Sequence, residues 1–138
     1  MQEVLRFVDG SGRHGFVLFT LGSMKWSQQM PKKYLNAVMR TFARLPQRVV
    51  CKWHSHTKPN NLPSNVFMST WLPQQDLLGH EKARLFITHG GLLGMQESTY
   101  HAVPLLVLPF ATDYNINTTK AFQEGYQHCP HSTYEQWK

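Results

Sequence analysis
The chain has 138 residues, 41% of them hydrophobic and 16% charged, with 9 glycines and 8 prolines. That is the size and composition of one folded domain, and it excludes collagen-like, coiled-coil and intrinsically disordered chains. Fourteen basic against eight acidic residues give a net charge of +6, which favours phosphate-bearing ligands, nucleic acid or anionic membrane surfaces as partners.

Short apolar runs rich in β-branched and aromatic residues recur along the chain: Gly15 to Leu21, Arg48 to Trp53, Val66 to Ser69, Leu85 to Thr88 and Leu105 to Leu108. They are continuous rather than alternating, the pattern of strands buried on both faces. Between the first two runs, Lys32 to Leu45 sets Leu35, Val38, Met39, Phe42 and Leu45 on one face at helical spacing behind Pro31, which completes a βαβ unit. Lys58 to Ser64 reads as a polar loop, and after Thr88 the pair Gly90-Gly91 opens a helical stretch from Leu92 to His101. Pro104 precedes the fifth strand, and a last helix is predicted from Asn115 to Gln123, stopped at Gly125. Periodicity is lost from Gln127, so residues 1–126 read as the domain and 127–138 as an irregular tail. The alternation predicts an α/β, Rossmann-like parallel sheet with helices on both faces and right-handed crossovers. Ligands of such folds lie outside the C-terminal ends of the strands.

The apolar run from Val103 to Ala111 contains two prolines and is shorter than the ~18 residues of a membrane span. The sequence therefore predicts no transmembrane segment, and no signal peptide before Gly15. Two cysteines, Cys51 and Cys129, form no disulfide framework and leave the redox compartment open. Residues 1–58 carry ten basic and two acidic side chains, a balance of +8, so the remainder of the +6 chain is at −2. Asp76, Glu97 and Asp113 lie in that acidic remainder, each beside an apolar run and a loop.

The residues that follow the strands carry the chemistry. Gly22-Ser23 puts a small residue and a hydroxyl after the first strand, where they could approach an anion, although a plain tight turn is the commoner use of such a pair. Trp71, after the third strand, is followed by Leu72-Pro73-Gln74-Gln75-Asp76, which reads as an exposed turn presenting an indole on which a flat base can stack. Such stacking is worth ~1–3 kcal/mol, and core packing is the competing use of the same ring. Gln74 would read a base edge with its amide.

His89-Gly90-Gly91 leads straight into a helix, so free backbone N–H groups and the positive helix end face one point, an arrangement suited to a diphosphate. Two glycines remove the Cβ atoms that would keep a phosphate away, and His89 adds a donor. Glu97, two helical turns or ~12 Å further on, is placed to accept both hydroxyls of a ribose. Asp113, in Pro109-Phe110-Ala111-Thr112-Asp113-Tyr114, is either a ligand carboxylate or the N-cap of the last helix.

Rival chemistries lack their core groups. No G-x-G-x-x-G follows the first strand and no acid follows the second, and neither G-x-x-x-x-G-K-[ST] nor G-x-S-x-G is present. Cys51-x-x-His54-x-His56 and His128-Cys129-x-His131 lack the paired spacings of metal sites, and no metal is predicted.

Taken together, Trp71-x-x-Gln74, Phe86-Ile87-Thr88-His89-Gly90-Gly91, Glu97, Pro104, Pro109 and Asp113 resemble the signature of the UDP-glycosyltransferases, the UDP-glucuronosyltransferase family. Phe19-Thr20-Leu21-Gly22-Ser23 looks like the family's donor-side strand and loop, and Asn117 stands where an asparagine usually follows the sugar-contacting pair. The resemblance implies the C-terminal, UDP-sugar-binding domain of a GT-B fold, with the acceptor half and its catalytic histidine outside this chain. By the same resemblance Trp71 stacks on uracil, Gln74 contacts base or ribose, and Glu97 holds the ribose hydroxyls. His89 and Gly91 take the diphosphate with help from Ser23, while Asp113 and Tyr114 meet the transferred sugar. Tyr114 replaces a usual glutamine, a phenol where the family has a forked amide.

The implied reaction is an inverting transfer of a hexosyl or glucuronosyl group from a UDP-sugar to a small lipophilic acceptor hydroxyl. It uses the UDP-sugar as donor substrate, no cofactor and no metal. The resemblance further implies the lumenal side of the endoplasmic reticulum membrane and allows a homo-oligomer, with no nucleic acid as partner. The alternative reading is a nucleotide-sugar-binding or interaction module without catalysis.

Overall fold
Five short strands are laid side by side in one parallel sheet of order β3-β2-β1-β4-β5. They are β1 (Phe16–Thr20), β2 (Arg48–Lys52), β3 (Val66–Ser69), β4 (Ala83–Thr88) and β5 (Leu105–Val107). The computed structural model describes residues 2–22, 31–55 and 58–108. Among the described residues four α-helices accompany the strands: α1 (Gln2–Asp9), α2 (Lys32–Ala43), α3 (Gln74–Leu78) and α4 (Leu92–Tyr100). All five predicted strands and the helices over 32–45 and 92–101 are present within a few residues of their predicted bounds. The predicted helix 115–123 and the tail 127–138 lie outside the described residues.

Every position of β1 is buried, as expected of the central strand of a sheet covered on both sides. The two-residue period divides its side chains between two cores. Phe16 and Leu18 join Val50, Leu77, Leu78, Phe86, Met95 and Leu105 beneath α1, α3 and α4. Val17 and Phe19 join Met39, Phe42, Val49, Cys51, Trp53 and Ile87 beneath α2. Phe19 and Phe42 meet edge to face with centroids 5.3 Å apart, a geometry worth ~0.5–1.5 kcal/mol beyond the area it buries.

Asn65, in the loop before β3, fixes the α2–β2 turn by donating from Nδ2 to the carbonyls of Phe42, Leu45 and Gln47 at 2.8–3.2 Å. Helix α1 is clasped by Arg48, whose guanidinium lies 4.7 Å over the Phe7 ring and donates to the Phe7 carbonyl. Asp9 at its end accepts from His80 Nε2 at 3.1 Å. No helix among the described residues is long and apolar enough to cross a membrane.

Three elements depart from the sequence reading, the first being α1, where no helix is expected. The segment Gln74-Gln75-Asp76, expected as an exposed turn, opens α3, which buries Leu77 and Leu78; five residues are too few to display a period. Helix α4 begins at Leu92 with Gly91 as its N-cap, so His89 is outside it. Glu97 is therefore six residues beyond the cap, about 9 Å along the axis rather than ~12 Å.

Candidate functional site
β1 and β4 are neighbours, yet the chain leaves β1 toward β2 on one side and β4 toward β5 on the other. Such a reversal marks the place, beyond the C-terminal ends of β1 and β4, where ligands of doubly wound sheets bind. Leu21-Gly22 and His89-Gly90-Gly91 are the segments that meet there. In register, Thr20 pairs with Thr88, so both side chains emerge on the face that carries Phe16, Leu18 and Phe86. Both are 1% exposed.

A buried hydroxyl needs a partner, and Thr20 has one on α3. Its Oγ1 donates to Gln74 Oε1 at 3.1 Å, and Gln74 Nε2 donates to Glu97 Oε2 on α4 at 2.6 Å. Strand β1, helix α3 and helix α4 are thereby tied by one line of hydrogen bonds ending on a half-buried carboxylate. Gly94 makes room for it, because a Cβ at that position would lie 3.4 Å from Gln74 Nε2 and 3.3 Å from Phe86 Cε1. Gln74, expected to offer its amide to a base, thus uses both ends of that amide within the protein. Thr20 is the participant that the sequence reading missed; its signal is a polar side chain closing an otherwise apolar buried strand.

His89 occupies a slot bounded by two glycines. A Cβ on Gly22 would fall 2.5 Å from His89 Cε1, and one on Gly91 would fall 2.6 Å from Nε2. Gly22 also has φ +78°, a left-handed conformation that side chains disfavour. The Nε2 edge of the imidazole is therefore held between two stretches of backbone, with Nδ1 3.4 Å from Thr88 Oγ1. Burial lowers the His89 pKa from its ordinary 6.5, so the ring is neutral at pH 7 and has one N–H to donate.

Beside His89, α4 starts without a side-chain cap, and its first helical bond runs from Met95 N–H to the Gly91 carbonyl. The amides of the preceding turn and the positive end of the helix lie next to the imidazole, a combination suited to negative charge.

Trp71 is 62% exposed. Ser69 accepts from its N–H at 3.4 Å and donates to its carbonyl at 2.7 Å, while the following Leu72 and Pro73 are buried. The indole is presented to solvent on a backbone fixed from both sides, rather than packed in the core. Trp71, Gln74, Glu97, His89 and Gly91 thus all lie on the segments that follow β3 and β4. Ser23, Asp113 and Tyr114, like Pro109 and Asn117, lie outside the described residues.

A family model described as UDP-glucoronosyl and UDP-glucosyl transferase matches residues 1–127. The chain belongs to this family. It is 41% identical over 124 residues to human UDP-glucuronosyltransferase 2B17, a match that covers 90% of this chain and 23% of the relative. Among solved structures, the glycotransferase of kitacinnamycin aligns with a TM-score of 0.70 and 30% identity over 86% of this chain and 30% of that one. Medicago truncatula UGT71G1 complexed with UDP-glucose shares the fold, with a TM-score of 0.75 and 19% identity over 93% of this chain and 29% of that one. The chain thus spans about a quarter of the length of the curated relative it matches, and the neighbours of its five-stranded sheet are glycosyltransferases.

Proposed function
We propose that this chain forms the UDP-sugar-binding part of a UDP-glycosyltransferase, residues 1–126 being the donor domain. The observation that carries the reading is the hydrogen-bonded line from Thr20 through Gln74 to Glu97 beside the glycine-bounded His89. Glu97 stands on the helix whose N-terminus and neighbouring imidazole suit a diphosphate, and an exposed indole follows β3, the edge strand. The three parts correspond to the ribose, phosphate and base of one nucleotide.

In this assignment uracil stacks on Trp71, the ribose diol donates to Glu97, and Gln74 borders the ribose. The diphosphate accepts from His89 and from the amides beginning at Gly91, and by the family resemblance from Ser23 as well. Asp113 and Tyr114 meet the sugar, Tyr114 with a single phenolic hydroxyl. Transfer is an inverting displacement: an acceptor hydroxyl on a small lipophilic molecule attacks the anomeric carbon as the bond to the diphosphate oxygen breaks. The base that removes the hydroxyl proton comes from outside this chain. His89 and the helix end stabilise the negative charge that grows on the departing UDP, which is electrostatic catalysis by preorganised donors. That role needs no cofactor. A place on the lumenal side of the endoplasmic reticulum membrane follows from the same family reading.

Titration of the 138-residue chain with UDP, followed by tryptophan fluorescence and by calorimetry, tests the assignment. Saturable binding that Trp71→Ala weakens by about tenfold or more, the equivalent of one lost base stack, is expected. Absence of UDP binding, or binding indifferent to Trp71→Ala, overturns it.

A further inference from the structure
We infer that Thr20 is a positioning residue for nucleotide recognition: its buried hydroxyl orients Gln74, and through Gln74 it fixes the carboxylate of Glu97. The inference rests on the reading of Glu97 as the ribose-binding group and adds how that group is held.

An ionised carboxylate only accepts hydrogen bonds. The face of the Gln74 amide turned to Glu97 must therefore be its NH2 group, as the 2.6 Å contact from Nε2 to Oε2 has it. Planarity of the amide then sends Oε1 the other way, toward Thr20, whose hydroxyl lies 3.1 Å off and must donate. The chain of donors runs in one direction only, from the strand to the carboxylate.

Thr20 is 1% exposed and sits in register with the equally buried Thr88, so its side chain is held by the central strands of the sheet. Gln74 opens α3, and Glu97 is on α4. The rigid centre of the sheet thereby sets the angle of a side chain on a helix. Oε2 of Glu97 is anchored, and Oε1 is left to accept from the ribose. Without the Thr20 donor, Gln74 Oε1 loses its hydrogen-bond partner and the amide is free to turn, which loosens the carboxylate just where two hydroxyls must meet it.

The test compares UDP with 2′-deoxyuridine diphosphate on the intact chain. Wild type is expected to prefer UDP. Thr20→Val, which keeps the shape and removes the donor, should weaken UDP about five- to tenfold and the deoxy compound, which keeps one of the two hydroxyls, by a clearly smaller factor, and Thr20→Ser should restore the preference. Gln74→Met, which leaves β1 untouched, should lose the preference in the same way and serves if Thr20→Val does not fold.

A Thr20→Val or Gln74→Met protein with native circular dichroism that still discriminates like wild type overturns the inference. So does an equal loss for both ligands. If wild type binds neither compound, it is the donor-site reading that falls, an outcome distinct from wild-type binding with an indifferent Thr20→Val.

Discussion

Replacing Gly91 by alanine adds one methyl group at a residue whose backbone, φ −65° and ψ 137°, suits any amino acid. The cost therefore comes from contact alone. The new Cβ would lie 2.6 Å from His89 Nε2 and 2.9 Å from Cε1, whereas such atoms settle near 3.5–4.0 Å; the imidazole must retreat by about 1 Å. Overpacking of this kind costs ~1–3 kcal/mol, and because the ring is only half-buried the lower end applies. A loss of about 1 kcal/mol lowers the melting temperature of a chain this size by about 3–6 °C. In the proposed donor site the effect on ligand is larger, because a hydrogen bond to a charged group contributes ~1.5–3 kcal/mol, so UDP should bind roughly ten- to a hundredfold more weakly.

Calorimetric titration of wild type, Gly91→Ala, His89→Ala and the double variant separates this mechanism from damage to the helix end. With His89 already truncated, the added methyl has nothing to push, and Gly91→Ala should cost little further affinity. Fully additive losses in that cycle, or a Gly91→Ala protein that binds like wild type, would refute the slot.

Two further outcomes follow from the same packing. Burial lowers the His89 pKa below its ordinary 6.5, so as pH falls beneath that value the unfolded chain takes up the proton first; wild type should lose melting temperature relative to His89→Gln between pH 7 and 5, and parallel pH profiles would contradict this. Asn65→Ala removes the donors for three turn carbonyls and should destabilise by about 2–3 kcal/mol in denaturant unfolding; a change below about 0.5 kcal/mol would show that water replaces the amide at no cost.

The strands could be read from the sequence because burial on both faces leaves continuous apolar runs such as Phe16 to Leu21, and the long α2 showed its period through Leu35, Val38, Met39 and Phe42. Helix α3 could not, since Gln74-Gln75-Asp76 is a polar beginning and only Leu77 and Leu78 follow it into the core. Helix α1 escaped because its apolar positions, Val4, Leu5, Phe7 and Val8, span little more than one turn and so show no repeated period. Trp71, His89, Gly91 and Glu97 could be singled out as candidates because each stands on a segment that follows a strand, where ligands of such sheets lie. What the sequence could not reveal was relation. Thr20 and Gln74 are 54 positions apart, and Gly22 and Gly91 meet only because β1 and β4 are neighbours. Those contacts are made by the sheet order, which no local pattern contains.

The two-core arrangement of the sheet also bears on how such a protein can change over time. Thr20, Gln74 and Glu97 all lie on the side of α3 and α4, while Phe19, Phe42, Met39 and Trp53 fill the opposite side beneath α2. The sheet acts as a partition between a face where an altered side chain reaches the carboxylate line directly and a face where it is first absorbed as packing. Variation beneath α2 can accumulate as gains and losses of stability with the nucleotide grip intact, and that reserve of stability is what allows riskier exchanges on the other side of the same strands.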